Sequence, residues 1–259
     1  MTLLTRSLLA TALALSASTA GLAADHPAHA PATPTVVLVH GAFADGSSWS
    51  KVIPLLQAKG LRAVAVQNPL TSLEDDVAAV QRVVRAQPGP VILVGHSWAG
   101  SVITQAGGDA KVASLVYVAS FAPSAGESSV DGLKAFPAPE GQKHLDKDAD
   151  GFLTMSPDAI AHYFAQDVSP AEARLIAAAQ GPVKGAAFEQ TVTAAAWKSK
   201  PSWYIVAGKD QMIAPAGQRA LARKIGAHTV ELPTSHVPML SNPQAVAKVI
   251  EDAAHAAQH

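Results

Sequence analysis

Short apolar runs rich in valine alternate along this chain with stretches in which apolar residues recur every three or four positions. The runs at 35–40, 61–66, 91–94 and 112–118 are too short for helices and have the composition of strands buried on both faces. Between them, Trp49, Val52, Ile53 and Leu56 share one helical face that stops at Gly60, and Leu73, Val77, Val80 and Val84 share another. Ser72 and Asp75 stand at capping-box spacing before the second helix, with aspartate where glutamate is preferred. Strict alternation of strand and helix predicts βαβ units and a mostly parallel sheet covered on both faces, an α/β fold.

The rhythm breaks at Phe121. From 124 to 196 the chain turns to Pro, Gly, Ala and charged residues, with short helical pieces at 157–164 and 170–180, which predicts an inserted helical cap. Alternation resumes with a strand at 203–207, a helix at 216–225 and a strand at 229–232. A last helix opens at Asn242-Pro243, a capping residue followed by proline in the first turn. The core is thus expected from 35–123 and 197–259.

Residues 1–23 follow a different pattern. Arg6 precedes an apolar stretch at 8–15, and Gly21-Leu22-Ala23 forms a small-residue cleavage site near Ala23 or Ala24, as in a secretory signal peptide. Ala28-His29-Ala30 also satisfies the cleavage rule. The apolar stretch is too short and too alanine-rich to span a membrane, so no span is expected in the mature chain. Residues 24–34, rich in Pro and Ala with His26 and His29, read as a linker. The expected location is secreted or periplasmic.

Composition narrows the chemistry. A net charge of −1 over 259 residues, 15% of them charged and no basic stripe among them, predicts no nucleic-acid partner. With no cysteine, a disulfide, a thiolate metal site and a cysteine nucleophile are all excluded. No G-x-G-x-x-G follows any strand, which disfavours a dinucleotide-binding domain. No cofactor or metal is called for, and the oligomeric state is left open.

The chemistry centres on Gly95-His96-Ser97-Trp98-Ala99, where the 91–94 strand turns sharply into a helix. Such a turn lifts the serine hydroxyl clear of the sheet and aims free N–H groups at whatever it attacks. Small residues two before and two after the serine are required because the two backbones nearly touch. Asp210 follows the 203–207 strand and His236 follows the last one, so serine, acid and histidine all leave the carboxyl ends of strands. A serine hydroxyl is a poor nucleophile until a neutral imidazole takes its proton, and the imidazole needs a carboxylate to fix its tautomer. Glu127 and Asp131 are rival acids, and His144 and His162 rival histidines; His40 and His96 are expected to orient loops. A backbone N–H of Ala42 or Phe43, at another strand end, is expected to pair with that of Trp98 as an oxyanion hole. Phe43, Trp98, Phe121, Trp197, Met212 and Met239 are the candidate pocket residues.

These motifs together resemble the α/β-hydrolase superfamily over the whole mature length. The resemblance is greatest to its small-esterase branch, with plant methyl esterases and hydroxynitrile lyases. It is carried by His40-Gly41-Ala42-Phe43, Asp45-Gly46-Ser47-Ser48-Trp49, Gly95 to Gly100, Gly208-Lys209-Asp210 and Ser235-His236-Val237-Pro238-Met239-Leu240. Ala99 stands where the motif has its last glycine. Val237 stands where hydroxynitrile lyases carry a catalytic lysine, which counts against cyanohydrin cleavage. The usual leading hairpin has no room before Thr35, so about six strands are expected. The resemblance implies a Ser97-His236-Asp210 hydrolase of small, fairly apolar carboxylic esters. Alternatives are cofactor-free lyase or perhydrolase chemistry on the same triad, or a non-catalytic ligand-binding protein of this fold.

Overall fold

The computed structural model describes residues 33–258, so the leader and most of the linker expected from the sequence lie outside the described residues. The folded chain opens with β1 (Thr35–Val39), α1 (Ile53–Ala58), β2 (Arg62–Val66), α2 (Leu73–Arg85), β3 (Val91–His96), α3 (Ala99–Ala106) and β4 (Val112–Val118). The stretch from 119 to 201 then holds β5 (Leu145–Lys147), β6 (Phe152–Met155), α4 (Pro157–Ala159), α5 (Pro170–Ala179) and β7 (Val183–Lys184). Last come β8 (Ser202–Ala207), α6 (Pro215–Lys224), β9 (His228–Leu232), α7 (Pro238–Ser241) and α8 (Pro243–Ala256).

Six strands form one sheet in the order β2-β1-β3-β4-β8-β9, every pair parallel. Its centre is dictated by composition: β3 reads Val-Ile-Leu-Val-Gly-His and is buried at every position, whereas edge strand β2 is mostly half-buried and edge strand β9 largely exposed. Helices cover both faces. α2 packs on α3, and α8 lies along β3, β4 and β8 with α1 beside it. The Asn242 side chain caps α8, accepting the Ala245 N–H as the sequence predicts. Among the described residues no helix is long and apolar enough to cross a membrane.

The start of α2 departs from the capping-box expectation in one limb. Ser72 accepts the Asp75 N–H at 3.0 Å, but the Asp75 carboxylate binds the Thr71 and Ser72 hydroxyls at 2.7 Å each. Aspartate is one methylene shorter than glutamate, and the hydroxyls are what it bonds. The complete box occurs at α5, where Glu172 reaches back to Ser169.

The stretch from 119 to 201 contains the expected short helices and also an antiparallel sheet, β5-β6-β7, that the sequence did not suggest. Its strands are three, four and two residues long, too short for alternation to register. α4 runs into a π-helical turn at Ile160–Phe164. The small sheet is tied to the core where the Lys184 N–H donates to the Leu70 carbonyl at 2.8 Å.

Close approach of backbones decides two glycines. A Cβ at Gly95 would lie 2.8 Å from the Ala99 carbonyl oxygen, and one at Gly100 would overlap the Phe121 carbonyl and the Ser120 hydroxyl. Alanine normally gains about 1 kcal/mol over glycine within a helix. Gly100→Ala should instead destabilise the fold by about 1–3 kcal/mol or more, because backbone must move to admit the methyl group. Gly108→Ala, with open space around it, should change stability by less than about 0.5 kcal/mol in the same denaturant titration. Equal effects at the two positions would refute this account.

Candidate active site

Ser97 sits between the end of β3 and the start of α3 with φ 53°, in the left-handed region that a residue with a side chain rarely adopts. Its neighbours hold it there. The Ser97 N–H donates to the Val118 carbonyl at 3.1 Å. The Ser97 carbonyl accepts the Gly100 and Phe121 N–H groups at 3.0 and 3.3 Å and the Ser120 hydroxyl at 2.8 Å. Ser120 is fixed in turn by Tyr204, whose phenol accepts the Ser120 N–H at 3.1 Å and donates to the Ser120 carbonyl.

Three sequence candidates meet at this turn. The Ser97 hydroxyl donates to His236 Nε2 at 2.8 Å, and His236 Nδ1 donates to Asp210 Oδ2 at 2.6 Å. All three are buried. The carboxylate of Asp210 is gripped from every side: Oδ1 accepts the Met212 and Ile213 N–H groups at 2.6 and 3.0 Å, and Oδ2 also accepts Gln218 Nε2 at 2.6 Å. Gln218, fully buried on α6, spends its other amide hydrogen on the Ile213 carbonyl and its oxygen on the Ala207 N–H. Sequence reasoning missed Gln218. Its one signal is a polar residue on the helix face that also carries Gly217, Leu221 and Ala222.

The two other buried histidines hold loops. His40 Nε2 accepts the Asn68 N–H at 2.9 Å and Nδ1 donates to the Gly41 carbonyl at 2.8 Å, a pattern only the neutral ring can make. Burial lowers its pKa accordingly. His96 Nε2 donates to the His236 carbonyl at 2.7 Å, and burial, then the neighbouring His236, holds its pKa well below the usual histidine value.

The rival residues are engaged elsewhere. Glu127 accepts the Ser124 N–H and pairs with Lys224, and Asp131 caps the turn at Ser128. His144 stacks on Tyr163, and His162 donates to the Asp158 carbonyl.

A cavity of about 260 Å³ opens over Ser97 and His236. Ala42, Phe43 and Met212 line it from the core, and Phe121, Leu145, Leu153 and Phe188 from the 119–201 stretch. Three expected pocket residues do not face it. Trp98 is fully buried and turns its indole to Asp76, Nε1 donating to Oδ2 at 2.7 Å. Trp197 donates to the Pro123 carbonyl at 2.9 Å, and Met239 packs wholly in the core. A long side chain beside a loop can turn inward or outward, and tertiary neighbours decide which. Ala42 and Phe43, the latter with φ 57°, flank the cavity on the side where the oxyanion donors were expected.

The fold and this convergence of residues mark a class, the α/β enzymes whose working groups ride on loops at the carboxyl ends of a parallel sheet. The sequence profile of the alpha/beta hydrolase family matches residues 36–249, and the chain belongs to that family. It is 28% identical over 251 residues to the probable hydrolase R7 of Phoma sp., covering 85% of this chain and 98% of that protein. It is 26% identical over 256 residues to the pyrethroid hydrolase of Sphingobium wenxiniae, covering 85% of this chain and 88% of that one. The solved structure of the methylesterase MES16 from Arabidopsis superposes with a TM-score of 0.70 at 22% identity, covering 86% of this chain and 99% of that one. The protein is therefore a hydrolase of the α/β family, related in fold to the small-esterase branch.

Asp76 supplies a test of how the nucleophile turn is supported. Its carboxylate is fully buried and accepts the Leu70 N–H at 2.8 Å as well as the Trp98 indole. Burial pushes its pKa from 3.8 up to about 6. Between those values the folded chain keeps a proton that the unfolded chain has released, so stability present below pH 3.8 is lost as pH rises through about 6. Asp76→Asn cannot ionise. Its stability relative to wild type should therefore improve by about 2 kcal/mol between pH 4 and pH 7. Denaturant titration at the two pH values measures this, and a pH-independent difference would disprove it.

Proposed function

We propose that the protein is a serine esterase acting on small, fairly apolar carboxylic esters. One observation carries the reading: an unbroken hydrogen-bond chain from Asp210 through His236 to Ser97, ending at the floor of an apolar cavity. As the Ser97 oxygen bonds to the ester carbonyl carbon, its proton passes to His236 Nε2, and Asp210 stabilises the resulting imidazolium. The negative oxygen of the tetrahedral intermediate is held by backbone N–H groups of Ala42 or Phe43 and of Trp98. The intermediate collapses when His236 returns the proton to the leaving alkoxide and the carbon–oxygen bond to the alcohol breaks. Water, deprotonated by the same imidazole, then attacks the acyl-enzyme and releases the acid and the serine.

Gln218 acts here as a positioning residue, since it holds the Asp210 oxygen that receives His236. The relatives named for ester hydrolysis support the reaction class, and the mainly apolar cavity supports the substrate class. Val237, in place of a lysine, favours hydrolysis over cyanohydrin cleavage. The leader-like pattern at 1–23 supports a site of action outside the cytoplasm.

Ser97→Ala should lower turnover of a short-chain p-nitrophenyl ester by about 10³-fold or more, and a phosphonate probe should label wild type at Ser97 and leave the variant unmarked. Wild-type protein that binds the ester but releases no p-nitrophenol would instead identify a non-catalytic binder. Asp210→Asn should keep the fold and lose about 10⁴-fold in kcat, because the amide favours the wrong histidine tautomer. If Glu127→Gln or Asp131→Asn proved the crippling change, the acid would be misassigned.

A further inference from the structure

Behind the site lies a second cavity, of about 330 Å³. The two share a wall of neighbouring residues. Phe43 and His236 line the first cavity, while their chain neighbours Ala44 and Val237 line the second. Phe164 stands in this wall. It lines the second cavity, and its ring meets Phe43 and His236 edge-on, with centroids 6.3 and 5.1 Å apart. It ends the π-helical turn Ile160–Phe164, a rare geometry that is frequent at functional sites.

The second cavity is a built space. α5 supplies Leu175, Ile176 and Ala179 as an apolar wall, and Lys51 of the core forms an ion pair with Glu172 of the same helix. Lys51 also donates to the Leu240 carbonyl at 3.0 Å. Leu175, 67% exposed, leaves a large apolar side chain open to solvent among the lining residues. Sites that hold a drug-sized molecule run from about 300 to 1,000 Å³. Each cavity alone is near or below the lower bound, and the two joined fall well inside the range.

We infer that the second cavity receives the alcohol arm of the substrate, with Phe164 as the movable partition, so that the natural ester is bulky and apolar on both arms. The inference rests on the esterase reading. The alcohol arm is assigned because its oxygen must reach His236 Nε2 to take the proton. Phe164 packs on that imidazole, and Val237, the next residue, already faces the second cavity. The acyl arm stays in the first cavity, against Phe121 and Phe188, whose rings meet edge-on with centroids 6.2 Å apart.

The test compares two ester series on the full-length protein. One series keeps an acetyl group and varies the alcohol from methyl to naphthyl; the other keeps methanol and varies the acyl group. Ala179→Phe fills the second cavity from a half-exposed position on α5. It should lower the naphthyl-to-methyl ratio of kcat/KM by roughly tenfold or more, the effect of adding a group to an apolar pocket. Phe164→Leu, which thins the partition, should raise the same ratio. The acyl-series ratio should move less than twofold in both. If Ala179→Phe fails to fold, Ala179→Leu serves the same measurement with a smaller effect. A response confined to the acyl series, or none in either, overturns the assignment. Wild type that hydrolyses no ester and takes no phosphonate label at Ser97 refutes the esterase reading itself, which is a different result.

Discussion

The left-handed backbone of Ser97 is the constraint on which the site depends. A non-glycine residue in that region costs of order 1–3 kcal/mol, and it persists only where its surroundings over-determine it. Here the Ser97 carbonyl accepts three donors and its N–H is bonded to β4. Two of those donors, Phe121 and Ser120, belong to the loop after β4, where Ala119 is also left-handed at φ 46°. Tyr204, from β8, pins Ser120. Three adjacent strands thus share the strain, and the glycines at 95 and 100 let their backbones come close enough to do so.

Charge around the site is arranged with equal economy. His40, His96 and His236 are all buried, and His96 lies with its ring centroid 4.8 Å from that of His236. Two of the three are locked neutral by burial and by the bonds they make. Of the three, His236 is the one whose ring is hydrogen-bonded to a carboxylate, Asp210 Oδ2 at 2.6 Å. Asp210 cannot turn away from it, because backbone and Gln218 donors occupy its remaining lone pairs.

The sheet was legible in the sequence because strands buried on both faces leave continuous valine-rich runs, and β1, β3 and β4 are of that kind. Ser97, Asp210 and His236 were legible because each lies just beyond the carboxyl end of a strand, the first two after fully buried runs. The β5-β6-β7 sheet was not, since strands of two to four residues are too short for alternation to stand out. Asp76 and Gln218 were hidden for another reason. Each looks like an ordinary helix residue, and its significance lies in a partner brought near only by folding: Trp98, 22 positions on, and Asp210, eight positions back. Direction defeated the readings of Trp98, Trp197 and Met239, because a side chain's type says nothing of the cavity it faces.

The hydrogen bond from Ser97 to His236 spans 139 positions of chain. β1 to β4 come from the first half of the chain, whereas β8, beside β4 in the sheet, follows the long excursion from 119 to 201, and the loop carrying His236 comes later still. Closing so distant a contact is entropically the slow part of making such a sheet. Assembly of the Ser97, His236 and Asp210 cluster therefore requires the whole sheet. A chain that has folded only its first four strands lacks both Tyr204, which pins Ser120 against the serine turn, and His236, so the complete cluster marks completion of the sheet, not its beginning.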